Sequence, residues 1–231
     1  MKNRGTLLLL ILLLPVISVM GDNYTFSSDY LKSVMAEGKE RTLLEGNVVI
    51  SSENKNILAD RVELLGKDFQ FFICRGNVSV HDLKNDFILT SDVFHYDNES
   101  SIIRINGPSV MEDRKNEMII KCGFMENRED EELIILQIGV RILKEDLACR
   151  SEFAVYYRDE NLLELTGLPV VYRKDDVFRA SRITVNLDTD EIRMEGEVQG
   201  SLLSEDKEEK EDSADETPEV ENSMEGSVSD E

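Results

Sequence analysis

Leu43-Leu44-Glu45-Gly46-Asn47-Val48-Val49-Ile50, followed by a polar connector and Ile57-Leu58-Ala59-Asp60-Arg61-Val62-Glu63-Leu64, is the stretch that decides the fold. It reads as two strands joined by a turn. The first half is aliphatic and β-branched. The connector, Ser51-Ser52-Glu53-Asn54-Lys55-Asn56, has turn chemistry, because Ser and Asn side chains bond the nearby backbone and Asn tolerates positive φ.

The unit recurs along the chain. Cys74-Arg75-Gly76-Asn77-Val78-Ser79-Val80 repeats its first strand, and Leu89-Thr90-Ser91-Asp92-Val93-Phe94 repeats its second. Aligning further copies gives a column Gly46, Gly76, Gly107, Ile138, Gly167 and Gly196, in steps of 29 to 31 residues. A second column of small residues runs Ala59, Ser91, Cys122, Ser151, Ala180. A near-constant period of this size marks one supersecondary unit stacked on itself. Such a unit cannot bury its own apolar face, so its neighbours complete the core. Short polar connectors such as Asp97-Asn98-Glu99-Ser100 and Arg158-Asp159-Glu160-Asn161 fit many strands joined by hairpin turns. The expectation is an all-β protein. The one helix candidate, Asp29 to Lys39, instead follows a stretch resembling the second half of a repeat, so Tyr24 to Tyr30 is taken as the first strand, capping the stack.

Residues two apart on a strand share a face. Leu44, Gly46, Val48 and Ile50 therefore form one aliphatic face, as do Cys74, Gly76, Val78 and Val80, and Leu136, Ile138, Val140 and Ile142. A glycine stripe crosses that face, which suggests a curled sheet or an interior kept open. Ile138 interrupts it. In the second strands the apolar positions change parity, from Ile57 and Ala59 to Val62 and Leu64. A bulge or bend near Ala59-Asp60 explains the change, because one extra residue flips the side-chain phase.

The flanks differ from this body. Lys2 and Arg4 precede an apolar run from Leu7 to Val19, and Val19-Met20-Gly21 supplies small residues before Asp22. This is a signal-peptide pattern over residues 1–21, too short for a comfortable membrane span. It implies export to the periplasm, with an uncleaved inner-membrane anchor as the alternative. Residues 22–203 carry the repeats. Residues 204–231 hold almost no apolar side chains and much of the net charge of −22, and such a segment is expected to be disordered. No basic footprint for nucleic acid is present.

The chemistry-bearing residues are sparse. Cys74, Cys122 and Cys149 lack metal-ligand spacing and read as small apolar fillers, with a Cys122–Cys149 bridge as the alternative. The only histidines, His81 and His95, read as surface residues, the first in a turn. Asp60, Asp92 and Glu152 form a column that is more readily paired with Arg61 and Arg182, or solvated, than bound to a cation. No nucleophile, P-loop, HExxH or CxxC motif occurs, so neither an enzyme nor a cofactor is expected.

The pairing of Gly-Asn-Val with Ala-Asp-Arg at this period resembles the repeat of the OstA-like family. These are the LptA-type periplasmic proteins of lipopolysaccharide transport and the related LptC and LptD N-terminal domains. Phe178 to Val198 resembles the family's terminal hairpin, while residues 111–157 depart from the pattern. The resemblance implies an antiparallel β-jellyroll, V-shaped in section, with an apolar interior open at both ends. It implies a bridge or chaperone that carries lipopolysaccharide or a related glycolipid between membranes. It also implies partnership with LptC-like and LptD-like jellyrolls by edge-strand pairing, or self-oligomerisation. The lining expected to hold acyl chains is Leu44, Val48, Ile50, Val78, Val80, Ile138, Val140, Ile183, Val185 and Val198. The alternative is an exported structural β-repeat protein with a closed core and a protein-interaction role.

Overall fold

A computed structural model describes residues 24–202, so the expected signal peptide and acidic segment lie outside the described residues. The chain opens with two short strands, β1 (Thr25–Ser27) and β2 (Tyr30–Val34). Eight strands of 11 or 12 residues follow: β3 (Arg41–Ser51), β4 (Lys55–Leu65), β5 (Phe71–Asp82), β6 (Phe87–Asp97), β7 (Ile102–Asp113), β8 (Met118–Arg128), β9 (Leu133–Lys144) and β10 (Leu147–Tyr157). Shorter pieces complete the order: β11 (Leu162–Thr166), β12 (Val170–Arg173), β13 (Asp176–Arg179), β14 (Arg182–Asn186), β15 (Ile192–Glu195) and β16 (Gln199–Ser201). All sixteen belong to one antiparallel, unclosed sheet, in which β3 to β11 neighbour one another in chain order and the short strands join its ends. The residues expected to begin the stack are strand, but split into β1 and β2 around Ser28-Asp29.

Each long strand is bent across its middle. On β3 and β4 the pairing jumps from Glu45 opposite Arg61 to Val48 opposite Ala59, so two residues face one. The same jump recurs on the ladders from β4 through β10. This is the bulge that the parity change demanded, with Gly46 and Asn47 of β3 opposite Asp60 of β4. Buried positions on β4 run Ile57, Ala59 and then Val62, Leu64, whereas β3 keeps one phase through Leu44, Val48 and Ile50.

The bulged residues adopt left-handed backbone in pairs: Gly46 and Asn47 at φ 78° and 46°, Gly76 and Asn77 at 74° and 47°. Glycine adopts that conformation without steric cost, and asparagine tolerates it better than most residues. The bulges align across the sheet as a crease. It divides the sheet into an upper leaf, containing β1, β12, β13 and β16, and a lower leaf, containing β2, β11, β14 and β15. Each long strand contributes one half to each leaf. The leaves fold face to face and bury one apolar core between them. An unbent strand of this length would span about 36 Å. Side chains from opposite strand ends nevertheless bond directly, so the sheet folds back along the crease into a V-shaped roll. The expected all-β antiparallel jellyroll is the observed architecture.

The glycine stripe has a different cause from the one its pattern suggests. The missing Cβ of Gly76 faces outward, and a Cβ there would lie 3.0 Å from Asp60 Cβ and fall against its carboxylate. Gly46 stands in the same relation to Asp29, Gly167 to Glu152 and Gly196 to Ser181. Asn77 Nδ2 donates to Asp60 Oδ2 at 2.9 Å, and Asn47 Nδ2 to Asp29 Oδ2 at 2.8 Å. The Ala-Asp of one copy thus closes over the Gly-Asn of the next. The glycines permit a backbone turn and the close approach of a neighbour; they do not hold the interior open.

Candidate functional site

The candidate site is the interior between the leaves. Eight of the ten expected lining residues sit there: Leu44, Val48, Ile50, Val78, Val80, Val140, Ile183 and Val185 are each exposed by 2% or less. Two do not. Ile138 is 64% exposed and Val198 53%. Ile138 occupies the first left-handed crease position, at φ 69°, where the backbone points its side chain outward. It lies over Gly123, whose added Cβ would approach Ile138 to 2.9 Å. The copies therefore exchange sizes: a carboxylate over glycine at Gly46, Gly76 and Gly167, isoleucine over glycine here, while nothing covers Gly107. Val198 follows the last crease turn, at Gly196-Glu197, beside a strand that pairs on one side only, so no further copy covers it.

The lining is filled rather than accessible. Phe72, Phe87, Phe94 and Tyr156 reach across it, each exposed by 1% or less. Tyr24, Phe72 and Tyr96 pack in sequence as tilted rings, with centroids 5.2 and 5.8 Å apart. The expectation of an open trough is corrected on this point: the sheet is unclosed, but bulky side chains from the two leaves meet and exclude water.

The mouth of the V, opposite the crease, is bridged from end to end. Tyr24 Oη donates to Asn98 Oδ1, Lys55 Nζ to Glu129 Oε2 at 2.7 Å, Asn116 Nδ2 to Tyr156 Oη, and Lys144 Nζ to the Leu187 carbonyl. Arg173 pairs with Asp190 at 2.9 Å. Lys55 also lies over the Tyr96 ring, and Arg158 over Phe87. In each bridging bond the lower-leaf partner comes later in the chain, so the roll winds helically. Each of these bonds uses at least one side chain. Burial pulls the Glu129 carboxyl above its ordinary range, and Lys55 only partly opposes this. Two buried carboxylates, Asp82 and Asp113, close the upper turns identically. Each accepts from the backbone N–H and the side-chain amide of the residue three further on, Asn85 and Asn116. The sequence reading missed this rim, although Asp-x-x-Asn recurring at the repeat period was its visible signal.

The remaining chemistry is structural. Asp60 is bonded to Asn77, and Glu152 Oε2 accepts from the Gly139 N–H at 3.3 Å, so these two members of the column secure the crease, whereas Asp92 is exposed. Arg61 pairs instead with Glu45 and Glu63, and Arg182 with Glu164 and Glu195. His81 lies within β5 rather than in a turn. His95 lies on the outer face between inward Phe94 and Tyr96 but is half-buried; its Nε2 is buried without a hydrogen bond, and desolvation, with Arg75 and Arg104 nearby, lowers its pKa. All three cysteines are free and buried, so the Cys122–Cys149 bridge does not form. Burial pushes the Cys74 and Cys149 thiols up to about 12. Among the described residues no group of three or more His, Cys, Asp and Glu is placed to hold a metal, and no helix is long and apolar enough to cross a membrane.

The ends of the roll are unpaired. β2 pairs only with β3 and exposes Leu31 and Val34, and Met35 follows it at 74% exposure. β15 and β16 are edges at the other end, followed by Leu202 at 73%. On the outside a groove of about 770 Å³ follows the crease where Pro108 and Ile138 replace the usual residues, between Asp92, Lys121, Cys122 and Arg141.

No family model matches the chain, and no curated protein matches it. Among solved structures it is similar to LptH, the LptA-homologous periplasmic component of the conserved lipopolysaccharide transport device from Pseudomonas aeruginosa. The identity is 8%, the match covers 79% of this chain and 96% of that one, and the TM-score is 0.24. A likeness of that size carries no argument about function.

Proposed function

We propose that the protein is a periplasmic binding module for the acyl chains of lipopolysaccharide or a related glycolipid, which enter between the two leaves through the mouth. One observation carries this reading: an apolar interior runs the length of an unclosed sheet, and its mouth is held by side-chain links. Leaves joined covalently only at a crease can separate without breaking a strand ladder. A guest hydrocarbon then replaces leaf-to-leaf contacts, at about 0.8 kcal/mol per buried CH₂. The unpaired, apolar-rich ends suit edge-strand addition of a second copy or another jellyroll, forming a bridge from inner to outer membrane. The signal-peptide pattern of residues 1–21 supports export.

A second reading, a structural β-repeat protein with a closed core and a protein-interaction role, is favoured by the filled interior. Locking the mouth separates the two. Lys55→Cys and Glu129→Cys, joined by a short bismaleimide, fix the leaves together; uncoupled protein serves as control. Saturable binding of a fluorescent fatty acid by the uncoupled chain, abolished on coupling, supports the binding module. No saturable binding, or binding indifferent to coupling, refutes it in favour of the closed core.

A further inference from the structure

In a chain of net charge −22, one row on the outer face of the upper leaf is cationic. Lys121 on β8 stands opposite Arg141 on β9, which stands opposite Arg150 on β10. The row continues through Val170 on β12 to Arg179 on β13 and Gln199 on β16. All four cations are exposed. Like charges directly opposite one another on a sheet are destabilising, so the arrangement needs an anion to offset it.

Asp92 and Glu152 line the same outer surface, but no described carboxylate lies within ion-pair distance of these four cations. Nine of the thirteen described arginines lie within ion-pair distance of a carboxylate. Of the other four, three are Arg141, Arg150 and Arg179, and Lys121 is likewise without an ion pair among the described residues. Arg150 lies over the Tyr172 ring, 5.6 Å from its centroid. Beside the cations runs an apolar row, in which Ile119 opposite Leu143 is 40% exposed and Leu143 47%.

The chain leaves the described structure at this place. β16 is the strand next to β13, so Gln199 faces Arg179 directly, and Leu202 follows. Three strand spacings separate β16 from β10 and five separate it from β8, about 14 and 24 Å. The sequence beyond is Ser204-Glu205-Asp206-Lys207-Glu208-Glu209-Lys210-Glu211-Asp212. Extended chain covers about 3.3 Å per residue, so Glu205 to Asp212 reach about 13 to 36 Å from Ser201. Residues 204–231 carry thirteen acidic side chains against two lysines, half the net charge of the whole chain. Charge, reach and point of departure coincide on one row.

We propose that the acidic segment 204–231 lies across this row of its own chain, with Glu205–Asp212 over Arg179, Arg150, Arg141 and Lys121, and so keeps the row from other anions. The contact is exposed and therefore salt-sensitive: the screening length falls from about 10 Å at 0.1 M to about 3 Å at 1 M.

The test uses the full chain with Arg141→Lys, Arg150→Lys and Arg179→Lys, which keeps the charges and adds amines. Zero-length carbodiimide coupling at low salt, read by mass spectrometry on the monomer, should join these amines and Lys121 to carboxylates of residues 205–216. Yields should exceed those at Lys39 and Lys67 by about tenfold and fall to their level in 1 M salt. Equal yields at Lys39 and Lys67, or coupling found only between two copies, would overturn the proposal. A second measurement needs no arginine replacement. Converting the six acidic residues of 205–212 to their amides should raise full-chain affinity for a heparin oligosaccharide at least tenfold; unchanged affinity would mean that the segment does not cover the row.

Discussion

The crease makes a sharp quantitative claim at Gly76. Alanine there must hold a left-handed backbone, at φ 74°, costing about 1–2 kcal/mol. Some of that is offset, by about 0.4–1 kcal/mol, because alanine stiffens the unfolded chain. Steric contact costs more. The new Cβ lies 3.0 Å from Asp60 Cβ and against its carboxylate, so Asp60 must swing away and its bond to Asn77 is lost. That bond is worth about 1 kcal/mol, and the forced shift adds about 1–2 more. Gly76→Ala should therefore destabilise by about 2–4 kcal/mol in urea unfolding. Gly139→Ala is the control, since its φ is 62° but no atom lies within 4 Å of a Cβ there, leaving about 1 kcal/mol. Adding Asp60→Ala should make the double variant about 1–2 kcal/mol more stable than the sum of the single effects. Equal costs at Gly76 and Gly139, or no relief from Asp60→Ala, would refute the account of the Gly-Asn and Ala-Asp pairing.

Three further outcomes follow from the mouth and core. Lys55→Met strands the buried Glu129 carboxylate and should cost about 2–4 kcal/mol near neutral pH. Because burial holds the folded Glu129 pKa above 4.5, its penalty is absent below that value and grows as pH rises through the folded pKa; the loss on Lys55→Met should therefore be smaller at pH 4 than at pH 8, as pH-dependent denaturation measures. Glu126 behaves oppositely. Burial pulls it upward, but its bonds to Arg128 and Arg104 outweigh that and lower its pKa, so its stabilisation is present above 4.5 and lost as pH falls, and Glu126→Gln should flatten the acid limb of the stability profile. With Cys74, Cys122 and Cys149 buried and reduced, a thiol reagent should label almost none in native protein and three per chain after denaturation.

The strand class, the repeat and the bulge were legible because each is a local signal: β-branched runs, turn residues at fixed spacing, and a parity change between Ala59 and Val62. Eight of the ten expected interior residues were legible for the same reason, since period-2 alternation reports a face directly. Ile138 and Val198 were not, because alternation fails where the backbone turns left-handed or where a strand lacks its next neighbour. The glycine column was visible but misread, since its partner carboxylate lies in the preceding copy, roughly 17 residues away for Asp60 and Asn77. The mouth was hidden more deeply. Lys55 and Glu129 are 74 residues apart, and only the helical winding of the roll brings them together.

That winding bears on how the proposed binding module would admit an acyl chain to a filled interior. Opening the leaves without one would expose side chains such as Phe72, Phe87 and Tyr156, each costing about 1.5–3 kcal/mol. Half a dozen of them amount to about 10–15 kcal/mol, so under the proposed binding reading an empty open state would be too rare to capture an acyl chain. A twelve-carbon chain inserted between the leaves returns about 10 kcal/mol, at about 0.8 kcal/mol per CH₂. Entry and opening must then proceed together, the guest covering each stretch of lining as it is uncovered. A helical mouth suits this, because its bridges are spaced along the roll and release in succession, starting from an end where no further strand holds the leaves. An acyl chain would therefore pass the mouth first at an end of the roll, where Leu31 and Val34 of β2, or Leu202 after β16, expose apolar side chains.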